Sequence, residues 1–302
     1  MNQLSLAQGG FEKYAKPSRR AEFLAQMDRV VPWQELCALI EPHYPKAGRG
    51  RPPVGLERML RLHFLQHWYN LSDPGLEEEL LESESMRRFV GIDLGVERVP
   101  DETTVCKFRH LLERHGLGEQ IFKRVNEHLQ DRGFRLSAGT IVDATLISAP
   151  TSTKNRDRAR DPEMGTTKKG GQWLHGMKAH IGVDDKTKLI HTVKATPGNA
   201  ADATMLRHLL HGRERRVWGD KAYFGLGRVI KEVAPKARDL TQLKNNVNRR
   251  LTTLDEMVND IRSRTRAKVE HCFGVIKCIF GFRRVRYRGL AKNTNRLMTA
   301  AA

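Results

Sequence analysis

The apolar pattern changes character near Gly133, and that change limits the folds open to the chain. Before it, "VGLERMLRLHFLQHWYNL" places Leu56, Met59, Leu60, Phe64 and Trp68 at helical spacing. "SDPGLEEELLESESMRRFV" follows as a helix, with Pro74 near its start and glutamates in the first turn, where the helix dipole favours them. "ETTVCKFRHLLERHG" and "LGEQIFKRVNEHLQDRG" continue the helical texture. After Gly133, "GTIVDATLIS" is a β-branched run, and "GMKAHIGVD" with "KLIHTVKAT" reads as a hairpin turning at Asp185 to Thr187. "ADATMLRHLLHG" is a helix and "RRVWGDKAY" a short strand. This order predicts a helical first part, residues 1–130, and an α/β second part, residues 131–302, with hairpin and crossover connections.

Between the halves and within them, loops are marked by composition. "KAGRGRPP" is a basic linker rich in Gly and Pro, and "TSTKNRDRARDPEMGTTKKGG" reads as a long surface loop. Residues 240–262 are polar, a helix or loop leading into a basic helix.

Charge narrows the choice of partner. Lys plus Arg number 53 against 35 Asp plus Glu, a net +18. Counterion release from phosphates rewards such an excess, so nucleic acid leads and an anionic membrane surface is the rival. No stretch approaches the ~20 consecutive apolar residues of a spanning helix, and the N-terminus lacks the charged start and apolar run of a secretory signal. The chain therefore reads as intracellular. Cys37, Cys106, Cys272 and Cys278 form no CxxC pair and read as free thiols.

Three carboxylates stand out. Asp143 lies in the middle of the apolar run "TIVDATL", where an unpaired charge is costly and a salt bridge to an arginine is one explanation. Asp220 ends "RRVWGD" before a turn, where Asp also serves as a cap. Glu270 sits in "RAKVEHCFGVIK", with Arg266 four residues before and Lys277 seven after, all on one helical face; an ordinary ion-paired helix has the same spacing. Taken together, an Asp in an early strand, an Asp after a later strand and a Glu on a late helix follow the ribonuclease H-like order. Carboxylates so arranged can hold two divalent ions ~4 Å apart for in-line displacement at phosphorus, and hard oxygen ligands suit Mg²⁺.

From about residue 48 onward the chain resembles bacterial DDE transposases of the insertion-sequence-five (IS-five) family. The resemblance is carried by "GRGRPPVGLERMLRLHFLQHWYNLSD", "VPDETTVCKFRHLLE", "IVDATLISAPTSTKN", "RDPEMGTTKKGGQWLHGMKAHIGVD", "GDKAYFG" and "RAKVEHCFGVIK". It implies a ribonuclease H-like catalytic domain, a mixed five-stranded sheet flanked by helices, behind a helical N-terminal domain for binding element ends or for dimerisation. It implies that Asp143, Asp220 and Glu270 are catalytic and hold two Mg²⁺ ions, with Mn²⁺ able to replace them. Arg266 and Lys277 match the family's Arg and Lys around the Glu. The Tyr usual three before that Arg is Ser263 here, and the Gly usual two after the second Asp is Ala222, followed by Tyr223.

The activity so implied is cleavage at the element's terminal inverted repeats and strand transfer into target DNA, by a homodimer or larger synaptic complex in the bacterial cytoplasm at the nucleoid. The family's final helix is expected beyond Ala302. The alternative is a truncated, catalytically impaired copy that binds the repeats and represses transposition. From Ile261 to Arg296 there are eleven Lys or Arg and one acid. Lys268, Arg283, Arg284, Arg286 and Arg288 join Arg266 and Lys277 as candidate DNA contacts, several of them interleaved with Phe280, Phe282 and Tyr287. Trp173 in "GGQWLHGMKAH" could stack on a base; packing beneath its loop is preferred.

Overall fold

The computed structural model describes residues 16–302 except 50, 51, 135 and 247–249. Most of the N-terminal stretch examined for a secretory signal, and Gly50 and Arg51 of the basic linker, lie outside the described residues. Helices α1 (Arg19–Val30), α2 (Trp33–Ile40), α3 (Leu56–Trp68), α4 (Asp73–Glu82), α5 (Glu84–Val90), α6 (Glu102–Arg114) and α7 (Leu117–Asp131) make the first layer. Central α3 is buried almost all round, and Trp33, Phe64, Trp68 and Phe89 meet around it at ring separations of 5.3 to 5.9 Å. The stretch read as one helix from Asp73 to Val90 is two. The Ser83 side chain accepts a hydrogen bond from the Met86 amide and starts a new helix, because a serine hydroxyl competes for backbone donors better at a cap than within a helix.

The second layer is a sheet of β1 (Gly139–Ser148), β2 (Gly165–Lys169), β3 (Gln172–Asp184), β4 (Ile190–Pro197), β5 (Arg216–Trp218) and β6 (Arg238–Asp239). Strand β3 is antiparallel to β1 on one edge, and on its other edge pairs with β2 near its start and β4 near its end. β5 runs parallel to β1, and β6 parallel to β5. An antiparallel meander followed by two parallel strands is the ribonuclease H-like sheet, here extended by β2. That strand lies in the segment read from sequence as loop; its polar residues pair along an edge, a form that hydrophobic patterning does not reveal. The three strands meet at Gly176, where a Cβ would lie 2.1 Å from the Ile147 carbonyl oxygen.

Helices α8 (Asp202–Leu209) and α9 (Gly227–Val233) cover one sheet face, around Val142, Val217 and Ile230. α11 (Lys268–Gly274) and α12 (Leu290–Ala301) cover the other, around Ile141, Ile147 and Ile181. α12 also packs on α3 and α7, joining the two layers. Polar groups tie this joint. The Arg286 guanidinium donates to the carbonyls of Leu71 and Asn70, and Arg296 to Asn70 Oδ1 at 2.6 Å. Among the described residues no helix is long and apolar enough to cross a membrane.

Two histidines are sealed into this joint. His63 Nε2 lies 3.2 Å from Thr299 Oγ1, and His67 Nδ1 lies 2.7 Å from the His63 carbonyl. Burial, joined by nearby arginines, pushes His67 down to about 3 and holds His63 well below the usual imidazole range. A pKa lower folded than unfolded means that the stabilisation is complete above ~6.5 and is lost as pH falls. Urea unfolding at pH 7 and pH 4.5 should show a loss of roughly 2 to 3 kcal/mol for each histidine that stays neutral. His67→Gln should make the fall shallower; an unchanged slope would contradict the assignment.

Candidate active site

Alternation along β1 sets the first site residue. Ile141 and Ile147 face α11 and α12, so Asp143 and Thr145, at odd positions between them, face the same way. The parallel register aligns Ile141 with Trp218 of β5. Two residues further along each chain, Asp143 and Asp220 leave neighbouring strands on the same side of the sheet. Asp220 stands just past β5 rather than within it, and its carboxylate caps the turn Lys221–Tyr223 by accepting from the Ala222 amide at 2.9 Å.

The third carboxylate comes from α10 (Thr253–Arg266) and α11. α10 opens on a capping box between Thr252 and Asp255 and turns its polar face inward. Asn259 bonds to the backbone of Leu243, and Arg262 to the Thr241 carbonyl. Leu254, Met257 and Ile261 are left exposed. This anchoring delivers Arg266, the last residue of α10, over β1. Arg266 Nη1 donates to Asp143 Oδ2 at 2.8 Å and Nη2 to Glu270 Oε1 at 3.2 Å. The single face expected for Arg266, Glu270 and Lys277 is interrupted by a break at Ala267 and a π-helical segment at Val275–Ile279. Lys277 nevertheless reaches Thr145 Oγ1 at 2.6 Å.

Asp143, Asp220 and Glu270 line one cavity of about 620 Å³. Asp143 is nearly buried, whereas the Glu270 side chain is 64% exposed. Burial raises Asp143 to about 6; the Ala144 amide and Arg266 pull it back, and the Asp220 charge adds to the rise. Arg266 bridges two of the three carboxylates. In this arrangement no group of three or more His, Cys, Asp or Glu among the described residues is gathered closely enough to hold a metal ion.

Two further groups stand out: Asp202, which the sequence did not mark, and Tyr223, noted there only as the residue after Ala222. Asp202, in the first turn of α8, lines the same cavity and pairs with Lys178 at 2.9 Å. The Tyr223 hydroxyl is fully buried with no hydrogen-bond partner among the described residues, close enough to Asp202, Asp143 and Asp220 for their charges, after burial, to raise its pKa. Gly219 makes room for that ring: a Cβ there would lie 2.9 Å from it. An Asp at a helix start and a Tyr after a turn have ordinary structural readings, so only their convergence marks them.

Several of the candidate DNA-contact cations have partners inside the protein. Lys268 donates to the Asp185 carbonyl at 2.6 Å, Arg286 is engaged at Asn70 and Leu71, and Arg288 pairs with Asp157 at 3.1 Å. Arg283 contacts Cys278 Sγ at 3.1 Å and, with Arg284, is exposed. Lys168, Lys169 and Lys221, all lining the cavity, were not on the list of candidate contacts drawn from the sequence. Trp173, expected to pack beneath its loop, is 71% exposed.

A ribonuclease H-like sheet with acidic side chains converging beside its central strand defines the class. Residues 135–302, more than half of the chain, match the family described as "Transposase DDE domain", and residues 12–111 match "Transposase domain (DUF772)". The chain belongs to the DDE-domain transposases. It is a DNA transposase of the insertion-sequence type, an enzyme of a family that works with divalent metal ions. Among solved structures it is similar to the cryo-EM structure of the piggyBac transposase synaptic complex with hairpin DNA, at a TM-score of 0.43 and 11% identity, over 91% of this chain and 70% of that one.

The bridge made by Arg266 can be tested by pH. Asp143 is charged above about 6 and neutral below it, so Arg266 is needed most at high pH. Arg266→Gln should cost about 1 to 3 kcal/mol at pH 8, where it strands a nearly buried carboxylate, and clearly less at pH 5. Equal losses by urea unfolding at both values would rule out the pair as the cause.

Proposed function

We propose that Asp143, Asp220 and Glu270 are the catalytic carboxylates of this transposase and hold its divalent ions, with Mg²⁺ the natural occupant and Mn²⁺ a substitute. The observation that carries this reading is their convergence on one cavity from β1, the turn after β5 and α11. The donors suit a hard cation: all three are carboxylates, and Asp202 on the same cavity wall is a fourth. Ions bound there supply Lewis acidity to phosphodiester oxygens and lower the pKa of water.

The chain's own residues prepare the site. Arg266 neutralises Asp143 and Glu270, and it must release Asp143 for that oxygen to serve as a ligand. Once released, its guanidinium becomes free to pair with a phosphate. Lys168, Lys169 and Lys221 on the cavity wall, with Lys277 behind Thr145, offset the charge of the bound strand. The Ala144 and Ala222 amides hold Asp143 and Asp220 in orientation.

On this reading the protein is of the IS-five type. It binds the terminal inverted repeats of its own element, cuts at their boundary and joins the freed 3′ end to target DNA. Residues 1–130 form the end-binding or dimerisation domain, and residues 131–302 the catalytic one. Joining two ends calls for a homodimer or larger synaptic assembly.

With DNA carrying the element's repeats and Mg²⁺, the protein should nick the repeat boundary; removing the metal with EDTA should abolish cutting. Asp143→Asn, Asp220→Asn and Glu270→Gln should each reduce cutting to background while still shifting the same DNA in a gel. A substituted protein that cuts at the wild-type rate would remove that residue from the catalytic set.

A further inference from the structure

The hairpin of β2 and β3 ends in Gly170 and Gly171, both with positive φ, 56° and 82°. Positive φ at both central residues is the geometry of a tight type I′ turn, and glycine adopts it without strain. Such a turn gives the hairpin a defined tip. Trp173 stands beside that tip, directly across from Lys168 in the register. Its exposure of 71% contrasts with 7% for Trp33 and Trp68 and 8% for Trp218. The Lys168 ammonium lies 5.8 Å from the ring centroid, and this contact leaves most of the ring in water.

The surroundings indicate what the ring is for. Lys168 and Lys169 line the same cavity as Asp143, Asp220 and Glu270, so the tip forms part of its rim. Lys169 is close enough to Lys277 that its charge, after burial, helps to lower the Lys277 pKa, and Arg283 adds to the effect. Cations held near one another on a rim are relieved by a polyanion. An exposed indole among them matches the chemistry of a nucleobase, since stacking needs only a π face and the lysines take the phosphates.

We propose that Trp173 is a DNA-positioning residue that stacks on an unpaired base of the strand entering the cavity, with Lys168 and Lys169 holding the adjoining phosphates. This rests on the reading that DNA occupies the cavity. A base pair inside a duplex is stacked on both faces, so away from a duplex end the occupant is a splayed or single-stranded nucleotide beside the bond to be cut. Trp173 thereby selects for strand ends that have opened.

Fluorescence of the full chain tests this without metal, in EDTA, so that cutting does not interfere. The probes are a DNA duplex with a short single-stranded thymine extension and the same duplex with blunt ends. Because the other three tryptophans are buried, emission accessible to acrylamide should come chiefly from Trp173 and be shielded on binding the extended duplex. Trp173→Phe should abolish the accessible signal yet keep the affinity. Trp173→Ala should bind the extended duplex roughly tenfold more weakly and the blunt one unchanged. If both duplexes bind but the wild-type signal does not change and Trp173→Ala binds as wild type does, stacking is overturned while the DNA reading stands. If neither duplex binds at low salt, the DNA reading falls with it. Shielding by anionic lipid vesicles or by raised protein concentration, with none by DNA, would assign the ring to a membrane or to a second copy and overturn the proposal.

Discussion

The ion pair between Arg266 and Asp143 is the contact on which the arrangement of the site depends. Asp143 is carried on a central strand between Ile141 and Thr145 on the same face, and its burial there disfavours a charge. Arg266 arrives from a helix 123 residues later in the chain and contacts it at 2.8 Å, then reaches Glu270 with its other nitrogen. One guanidinium therefore fixes the relation of the sheet to the helix that bears the third carboxylate.

That contact is made possible by an unusual use of amphipathicity. The α10 helix buries Asp255 and Asn259 and exposes Leu254, Met257 and Ile261. The reason is local: the backbone at Thr241 and Leu243 needs donors and acceptors, and α10 supplies them through Asn259 and Arg262. Buried polar groups so paired specify a single orientation more sharply than apolar contact does. The result places Arg266 at the helix end, over β1.

The joint between the helical layer and the sheet follows the same logic. Arg286 and Arg296 converge on Asn70, and Arg109 pairs with Asp73 at 2.5 Å while its guanidinium lies over the Tyr287 ring. A run of arginines and aromatics that reads as a nucleic-acid surface thus supplies part of the glue between layers. Besides Arg266, the cations that line the cavity come from the β2–β3 hairpin and the turn after Asp220. Charge in a sequence shows that phosphate is a suitable partner, but which lysines and arginines are free to meet it depends on the neighbours that folding gives them.

By itself the sequence determined the helical first part, strand β1, the hairpin of β3 and β4, and the ribonuclease H-like order of Asp143, Asp220 and Glu270. These follow from periodicity, turn chemistry and chain order, which are local or nearly so. Only the tertiary structure decided that the helix from Asp73 breaks at Ser83, that residues 165–169 pair as a strand, that Asp202 and Lys168 line the same cavity as Asp143, and that Tyr223 is buried within reach of the Asp202 and Asp143 charges. It also turned Trp173 outward and Lys268 and Arg286 inward. A side chain's partners are set by which elements pack together. Edge pairing and buried polar contacts leave no period in the sequence from which they could be read.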